Sequence, residues 1–117
     1  MNEKESRFPF LLDAGLTYSE SYEKQSDAAC VFKYRFARGA NYIEFRTAAG
    51  DPSVNVVVCR NGEFRFPNLA LRHPVAARAF RLKHLFRPPT EEECWQFTAR
   101  LVEEELKADP SLFGVLS

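Results

Sequence analysis

An Asn-Gly pair at residues 61–62 separates two runs with the composition of β-strands, residues 54–60 and residues 63–66. This pair is the strongest short-range signal for a β-hairpin, because a type I′ turn needs positive φ at both central residues. The turn also sets the register, since Arg60 must then lie opposite Glu63. The sequence therefore predicts each cross-strand pair of the hairpin, from Arg60 with Glu63 to Val57 with Phe66.

The register divides the predicted hairpin into two faces, because successive side chains of a strand point to opposite sides. The face that we expect to meet the core consists of Asn55, Val57, Cys59, Phe64 and Phe66. Three alternate valines beside arginines make the other face a continuous, partly apolar patch, and such patches often mark an interface. We therefore predict a binding surface there, with a wet sheet face as the alternative. Its residues are Val54, Val56, Val58, Arg60 and Arg65.

Apolar and polar residues alternate in three earlier segments, which predicts strands at residues 16–23, 28–36 and 41–47. A polar break at residues 24–27 and turns at 38–39 and 49–52 separate the strands. Consecutive strands with short connections usually pair with their neighbours, so an antiparallel meander is expected. A short helix precedes the strands. It is expected to begin near Phe8 and end at Gly15, with residues 1–7 frayed.

Past Phe66 the apolar period changes from about 2 to about 3.6, which predicts two helices. The first begins at Pro74 and ends at Pro88, and its expected buried stripe is Val75, Ala79, Leu82 and Phe86. The second begins with a capping box formed by Thr90 and Glu93. Its expected buried residues are Cys94, Trp95, Phe97, Leu101, Val102 and Leu106. We expect the apolar tail, residues 112–116, to dock on the domain or on a partner.

The order of these elements predicts an α+β fold, in which an N-terminal helix precedes a five-stranded antiparallel meander and two C-terminal helices pack on one face of the sheet. A chain of 117 residues fits a single α+β domain over residues 1–117. No signal peptide is recognised, and no window approaches the roughly 18 apolar residues of a membrane span. Three widely spaced cysteines, Cys30, Cys59 and Cys94, indicate reduced thiols. We therefore expect a cytoplasmic protein without a membrane partner.

Basic residues concentrate in residues 60–87 and acidic residues in residues 88–117, although the formal net charge is zero. A basic helix over residues 74–87 carrying Arg78, Arg81 and Lys83 would suit phosphate contacts. A nucleic-acid-binding module is therefore the alternative function. The competing interpretation is that the basic and acidic helices are neighbours whose charges compensate each other. The zero net charge favours compensation, because a dedicated nucleic-acid binder is usually basic as a whole.

No catalytic residue, metal ligand or cofactor is predicted. His73, His84 and the three cysteines lack the spacing of metal ligands, and the cysteines lie on predicted apolar faces. The sequence contains no nucleophile elbow, phosphate-binding loop or zinc-protease motif. A Cys/His pair brought together by folding stays open, but the balance favours a protein that is not an enzyme.

Four short segments resemble those of small uncharacterised bacterial α+β proteins, some of them immunity-type binding proteins. The segments are FPFLL at residues 8–12, GL at 15–16, ACVFKY at 29–34 and YIEFR at 42–46. The resemblance implies a function by binding and carries over no functional residue. No motif names an activity or a partner. The surplus of aromatic residues, with 11 Phe and 4 Tyr, favours protein–protein contact, including self-contact as a homodimer.

Overall fold

The structure, a computed structural model, describes residues 3–24 and 30–117, which contain five helices and five strands. The helices are α1 (Glu3–Ser6), α2 (Pro9–Asp13), α3 (Leu69–Arg72), α4 (Pro74–Lys83) and α5 (Glu91–Ala108). The strands are β1 (Thr17–Lys24), β2 (Cys30–Arg38), β3 (Asn41–Ala48), β4 (Asp51–Arg60) and β5 (Glu63–Arg65). They form one antiparallel sheet in the order β1-β2-β3-β4-β5, and α5 packs against β4. The predicted α+β fold and the meander are therefore confirmed.

Two stretches with predicted structure lie partly outside the described residues. Residues 25–29 lie outside the described residues, and with them most of the predicted turn at 24–27 and the predicted start of a strand at residue 28. The predicted fraying of residues 1–7 is wrong for residues 3–6, which form α1. Residues 1 and 2 lie outside the described residues.

The β4–β5 hairpin has the predicted turn. Asn61 and Gly62 have φ values of 53° and 81°, as a type I′ turn requires, and Arg60 pairs with Glu63. The predicted register continues to the pair of Val58 with residue 65, where β5 ends. The further predicted pair, between residues 57 and 66, is absent from the ladder of the described chain.

The helices cover the face of β4 opposite to the predicted one. Val56 and Val58 belong to the buried core, whereas Phe66 is 70% exposed and Phe64 is also exposed. The core assignment of Phe64 and Phe66 is therefore wrong, as is the expected exposure of the valines. Their cross-strand partners on β3 explain the difference, because Phe45 lies opposite Val56 and the next core residue of β3 lies opposite Val58. Directly opposed residues share a face, so the valines lie on the side of the core aromatic residues.

Trp95 on α5 lies at the centre of this core and is fully buried. Its ring centroid is 6.1 Å from that of Phe8, 5.2 Å from that of Tyr34 and 6.0 Å from that of Phe45. These three rings come from the N-terminal segment, β2 and β3, so Trp95 joins α5 to all three. The predicted capping box positions the start of α5, since Thr90 Oγ1 accepts a hydrogen bond from the Glu93 amide.

The predicted buried stripe of α4 is wrong, because Val75, Ala79, Leu82 and Phe86 are all exposed. The helix instead turns Ala77 and Phe80 inward, and it ends at Lys83. The Phe80 ring stacks on Phe97 of α5 with centroids 4.2 Å apart. The sequence of α4 carries apolar residues on both sides, and the stacking partner on α5 decides which side is buried.

The C-terminal tail docks on the domain as predicted. Leu112 and Val115 are buried in the core, and Arg38 donates a hydrogen bond to the carbonyl oxygen of Leu116. The turn that directs the tail inward contains three consecutive residues with positive φ, ending at Gly114 with 87°. A Cβ at Gly114 would lie 2.5 Å from the Arg60 side chain, but that side chain is exposed and can move, so glycine is favoured there by its backbone conformation.

Candidate functional site

Seven of the ten residues of β4 have no strand beside them on one side in the described part of the chain. β4 spans ten residues, but β5 spans three and pairs only with residues 58–60. Backbone groups of a strand alternate in direction, and Arg60 and Val58 direct theirs toward β5. Val56 therefore directs its backbone groups to the same side, where no described residue pairs with it. This free edge provides unpaired backbone donors and acceptors.

Pro67 explains why β5 stops so early. A proline has no N–H to donate to a ladder, and it also restricts the residue before it. The chain therefore leaves the sheet after Phe66 and enters α3, whose first turn is capped by the Asn68 side chain accepting a hydrogen bond from the Leu71 amide. The sequence of this connection thus opens the edge of β4.

A groove of about 680 Å³, which we name the β4 groove, runs beside the free edge. It is lined by residues 53–57 of β4, residues 66–70, Phe80 of α4, and residues 94, 97, 98 and 101 of α5, with residues 31 and 46–48 of β2 and β3 beside them. This volume lies within the usual range of about 300–1,000 Å³ for ligand pockets. Polar groups lie at its margins, among them Arg46 and Asn68. The apolar lining includes Val54, Val56, Leu69, Phe80, Phe97 and Leu101.

The groove also contains a thiol, that of Cys94. Burial raises the pKa of this thiol, and the neighbouring carboxylates, Glu93 first among them, raise it further. The thiol therefore stays protonated near neutral pH and is a poor nucleophile. The groove is consequently suited to binding rather than to covalent chemistry.

The predicted interface residues have different positions in the fold. Val58 is fully buried and Val56 nearly so, and both contribute to the core beneath the helices. Val54 is half-buried and lines the groove. Arg60 and Arg65 are exposed at the other end of the hairpin. Val54 and Val56 therefore both line the candidate site, and the two arginines lie outside it.

The groove residues on α3 and α4 were not predicted. Leu69 lies in a segment interpreted only as a connector, and Phe80 lies off the predicted stripe of α4. The helical spacing of Phe97 and Leu101 did predict a buried face on α5. The available signal was Pro67, which indicates that the second strand of the hairpin must end while the first continues.

Arg78, Arg81 and Lys83 are all exposed on α4. The acidic residues of α5 pair instead with arginines near these three: Arg72 pairs with Glu105, and Arg87 pairs with Glu93. No acidic side chain in the described part of the chain pairs with the three predicted residues. Compensation is therefore partial, and α4 presents unmatched positive charge.

The outer face of the sheet carries a cross-strand ladder of charged side chains. Glu44 of β3 is fully buried and accepts hydrogen bonds from Arg35 at 2.9 Å and Arg46 at 2.6 Å. Lys33 likewise pairs with Glu23 across β1 and β2. Both arrangements satisfy cross-strand carboxylates, so these residues have a structural role.

Glu105 forms a second buried carboxylate cluster, at the junction of α3, α4 and α5. Its oxygens accept hydrogen bonds from Arg72 at 2.6 Å and 3.1 Å, and Oε1 lies 2.8 Å from His73 Nε2. The hydrogen bond from Arg72 lowers the pKa of Glu105 below its usual value, and His73 adds to this effect against the opposing effect of burial. The ionised form is thus the one that holds α3 to α5.

This cluster is expected to make stability depend on acid pH. Because the folded-state pKa of Glu105 is lowered, its contribution is fully present above the unfolded value near 4.5 and is lost as the pH falls through the folded value. Urea unfolding at neutral pH and at acid pH should therefore give a smaller acid-induced loss of stability for Glu105→Gln than for the wild type. An equal loss in both proteins would contradict the assignment. The matched control is Glu104→Gln, because Glu104 is exposed on the same helix.

Among residues 3–24 and 30–117, no group of three His, Cys, Asp or Glu side chains could hold a metal ion. The three cysteines are free thiols. No helix in these residues is long and apolar enough to cross a membrane. Comparison of the chain with family models, with curated proteins and with solved structures found no match. The resemblance to immunity-type proteins therefore stays a prediction.

Proposed function

We propose that this chain is a protein-binding module that accepts an extended segment of a partner along the free edge of β4. One observation carries the proposal: the backbone of Val56 faces away from β3, where no described residue pairs with it, and Val56 lines the apolar groove. An exposed strand edge pairs readily with another chain, and partner strands are commonly added to sheets in this way.

The groove also favours a particular kind of segment. A strand added beside β4 would point alternate side chains toward the helices, where Phe80, Phe97 and Leu101 would surround them. The side chains between them would lie on the outer face, near Asn55 and Phe66. We therefore expect a bound segment with apolar residues at alternate positions.

A single strand fits this edge better than a second copy of the chain does. The edge lies beside residues 66–70, which form a wall of the groove. If two copies paired through β4, residues 66–70 of the second copy would lie against the first copy. A homodimer through β4 is the competing outcome, and sedimentation at micromolar concentration tests it, since the proposal expects a monomer.

Blocking the groove is expected to abolish segment binding. Ala70 is exposed on α3 and lines the groove, so Ala70→Arg should fill the groove and leave the core intact. Peptides selected from a random library on the wild type should bind Ala70→Arg at least about tenfold more weakly by fluorescence anisotropy. Ala79→Arg is the matched control, because Ala79 is exposed on α4 outside this groove.

Two results would refute groove binding. One is a selection that yields no peptide above background. The other is a selected peptide whose affinity falls equally, or not at all, in the two variants. Either result would leave the free edge of β4 without a role in recognition.

We further propose that the protein acts as one domain, in the cytoplasm, and without catalysis. The free thiols support a reducing compartment, and the protonated Cys94 supports a binding role. Nucleic-acid binding through Arg78, Arg81 and Lys83 is the second candidate function, since all three are exposed and lack an acidic partner among the described residues. Tight binding of single-stranded DNA that is lost in Arg78→Glu/Arg81→Glu would favour this second function.

A further inference from the structure

Five apolar side chains project into solvent from α3, α4 and the loop after α4. Val75 is 84% exposed, Leu82 is 60% exposed and Phe86 is 97% exposed. Isolated exposed hydrophobics are common, but a group of five on neighbouring turns often marks an interaction surface. We name this surface the α4 ridge, and its members are Leu71, Val75, Leu82, Leu85 and Phe86.

Positive charge flanks the α4 ridge without opposition. Residues 64–90 contain no Asp or Glu. Nearby acids of α5 are engaged elsewhere, because Glu93 pairs with Arg87 and Glu105 pairs with Arg72. Arg78, Arg81 and Lys83 therefore have no acidic partner within the described residues. This surface therefore combines exposed apolar side chains with unmatched basic ones.

We propose that the α4 ridge docks an acidic amphipathic helix of another protein. Val75 and Leu82 are seven residues apart on α4, so they lie about 10 Å apart along its axis. This spacing matches two turns of a partner helix with an apolar stripe. Carboxylates beside that stripe would meet Arg78 and Arg81, whose unmatched charge supplies the complementarity.

A second copy of this chain does not have that chemistry. Its acidic helix is α5, which exposes Glu104. However, the apolar face of α5 is buried, with Trp95 and Val102 fully inside the core. The helix therefore presents carboxylates without an apolar stripe to cover Val75 and Leu82.

Other anionic surfaces fit the α4 ridge less well. On a helix, residue 78 lies between residues 75 and 82, so Arg78 is on the same side as the exposed apolar residues. Insertion into a lipid layer would carry this guanidinium group toward the acyl chains, whereas a protein can place a carboxylate opposite it. A nucleic-acid backbone would satisfy the charges but would leave Leu82 and Phe86 uncovered.

A synthetic helical peptide of about 18 residues is the probe, with one leucine stripe flanked by glutamates. Fluorescence anisotropy should detect salt-sensitive binding to the wild type. The double variant Val75→Ser/Leu82→Ser should weaken binding at least about tenfold, and so should Arg78→Glu/Arg81→Glu. The charge-reversed variant should instead bind the same peptide with lysine in place of glutamate. Phe64→Ser is the control, because Phe64 is exposed outside the ridge.

The same proteins should be tested with phosphatidylserine vesicles and with single-stranded DNA. The proposal is overturned if the wild type does not bind the acidic peptide or if the ridge variants bind it as the wild type does. It is also overturned if vesicles or DNA bind more tightly than the peptide and lose affinity in Arg78→Glu/Arg81→Glu. All four substituted positions are exposed, and circular dichroism verifies folding. The α4 ridge shares no residue with the β4 groove, so the two proposals fail separately.

Discussion

The backbone amide of Val56 is expected to exchange with solvent deuterium at least about a thousandfold faster than the amide of Val57. Both side chains are buried, so burial alone predicts no such difference. The amide of Val57 points toward β3, where Glu44 lies opposite, and it exchanges only when the sheet opens. The amide of Val56 points to the free edge of β4 and has no partner among the described residues. Opening the core of a stable domain costs about 5–15 kcal/mol, which sets the scale of the difference.

Hydrogen exchange followed by NMR measures this contrast residue by residue. Val58 is the internal control, since its backbone faces β5 and pairs with Arg65. Its amide should therefore exchange as slowly as that of Val57. A bound peptide should then slow Val56 selectively, because only an added strand provides a partner for that amide. Slow exchange of Val56 in the free monomer would mean that the edge is already paired, and strand addition would be refuted.

The sequence predicted those features of the hairpin that depend on local chemistry. Asn61 and Gly62 determine the turn type, and the turn determines which residues of β4 and β5 oppose each other. The sequence did not predict which face of β4 the helices cover, because β4 has apolar side chains on both of its faces. Pairing of β3 with β4 decides this, and a register shift between Arg46 and Ala48 prevents that pairing from being extrapolated through the 49–52 turn.

Local sequence was likewise sufficient to predict the buried face of one helix but not that of the other. A capping box and one apolar face identified α5 correctly, since no second stripe competes with the first. Apolar residues lie on two sides of α4, and only the stack of Phe80 on Phe97 shows which side is internal. The candidate groove was harder to predict, because it depends on the path of residues 66–70 past the edge of β4. Pro67 indicates where β5 ends but not where the chain goes next.

Trp95→Ala is expected to lower the free energy of unfolding by about 3–5 kcal/mol, the range for removing a buried aromatic side chain. Trp95 is fully buried, and its ring contacts come from the N-terminal segment and two strands. Substitution would leave a cavity where these elements meet, and it would remove the indole hydrogen bond to Glu91 at 3.3 Å. Urea denaturation followed by circular dichroism measures the loss.

Phe86→Ala is the matched control, because it also removes an aromatic ring but from a side chain that is 97% exposed. Its effect on stability should be within about 0.5 kcal/mol, as for most surface substitutions. A loss below about 1 kcal/mol for Trp95→Ala would contradict the central position of this ring in the core. The two variants should also separate the binding surfaces. Trp95 supports the α5 wall of the β4 groove, so Trp95→Ala should weaken groove peptides, whereas Phe86→Ala should weaken only the acidic helix on the α4 ridge.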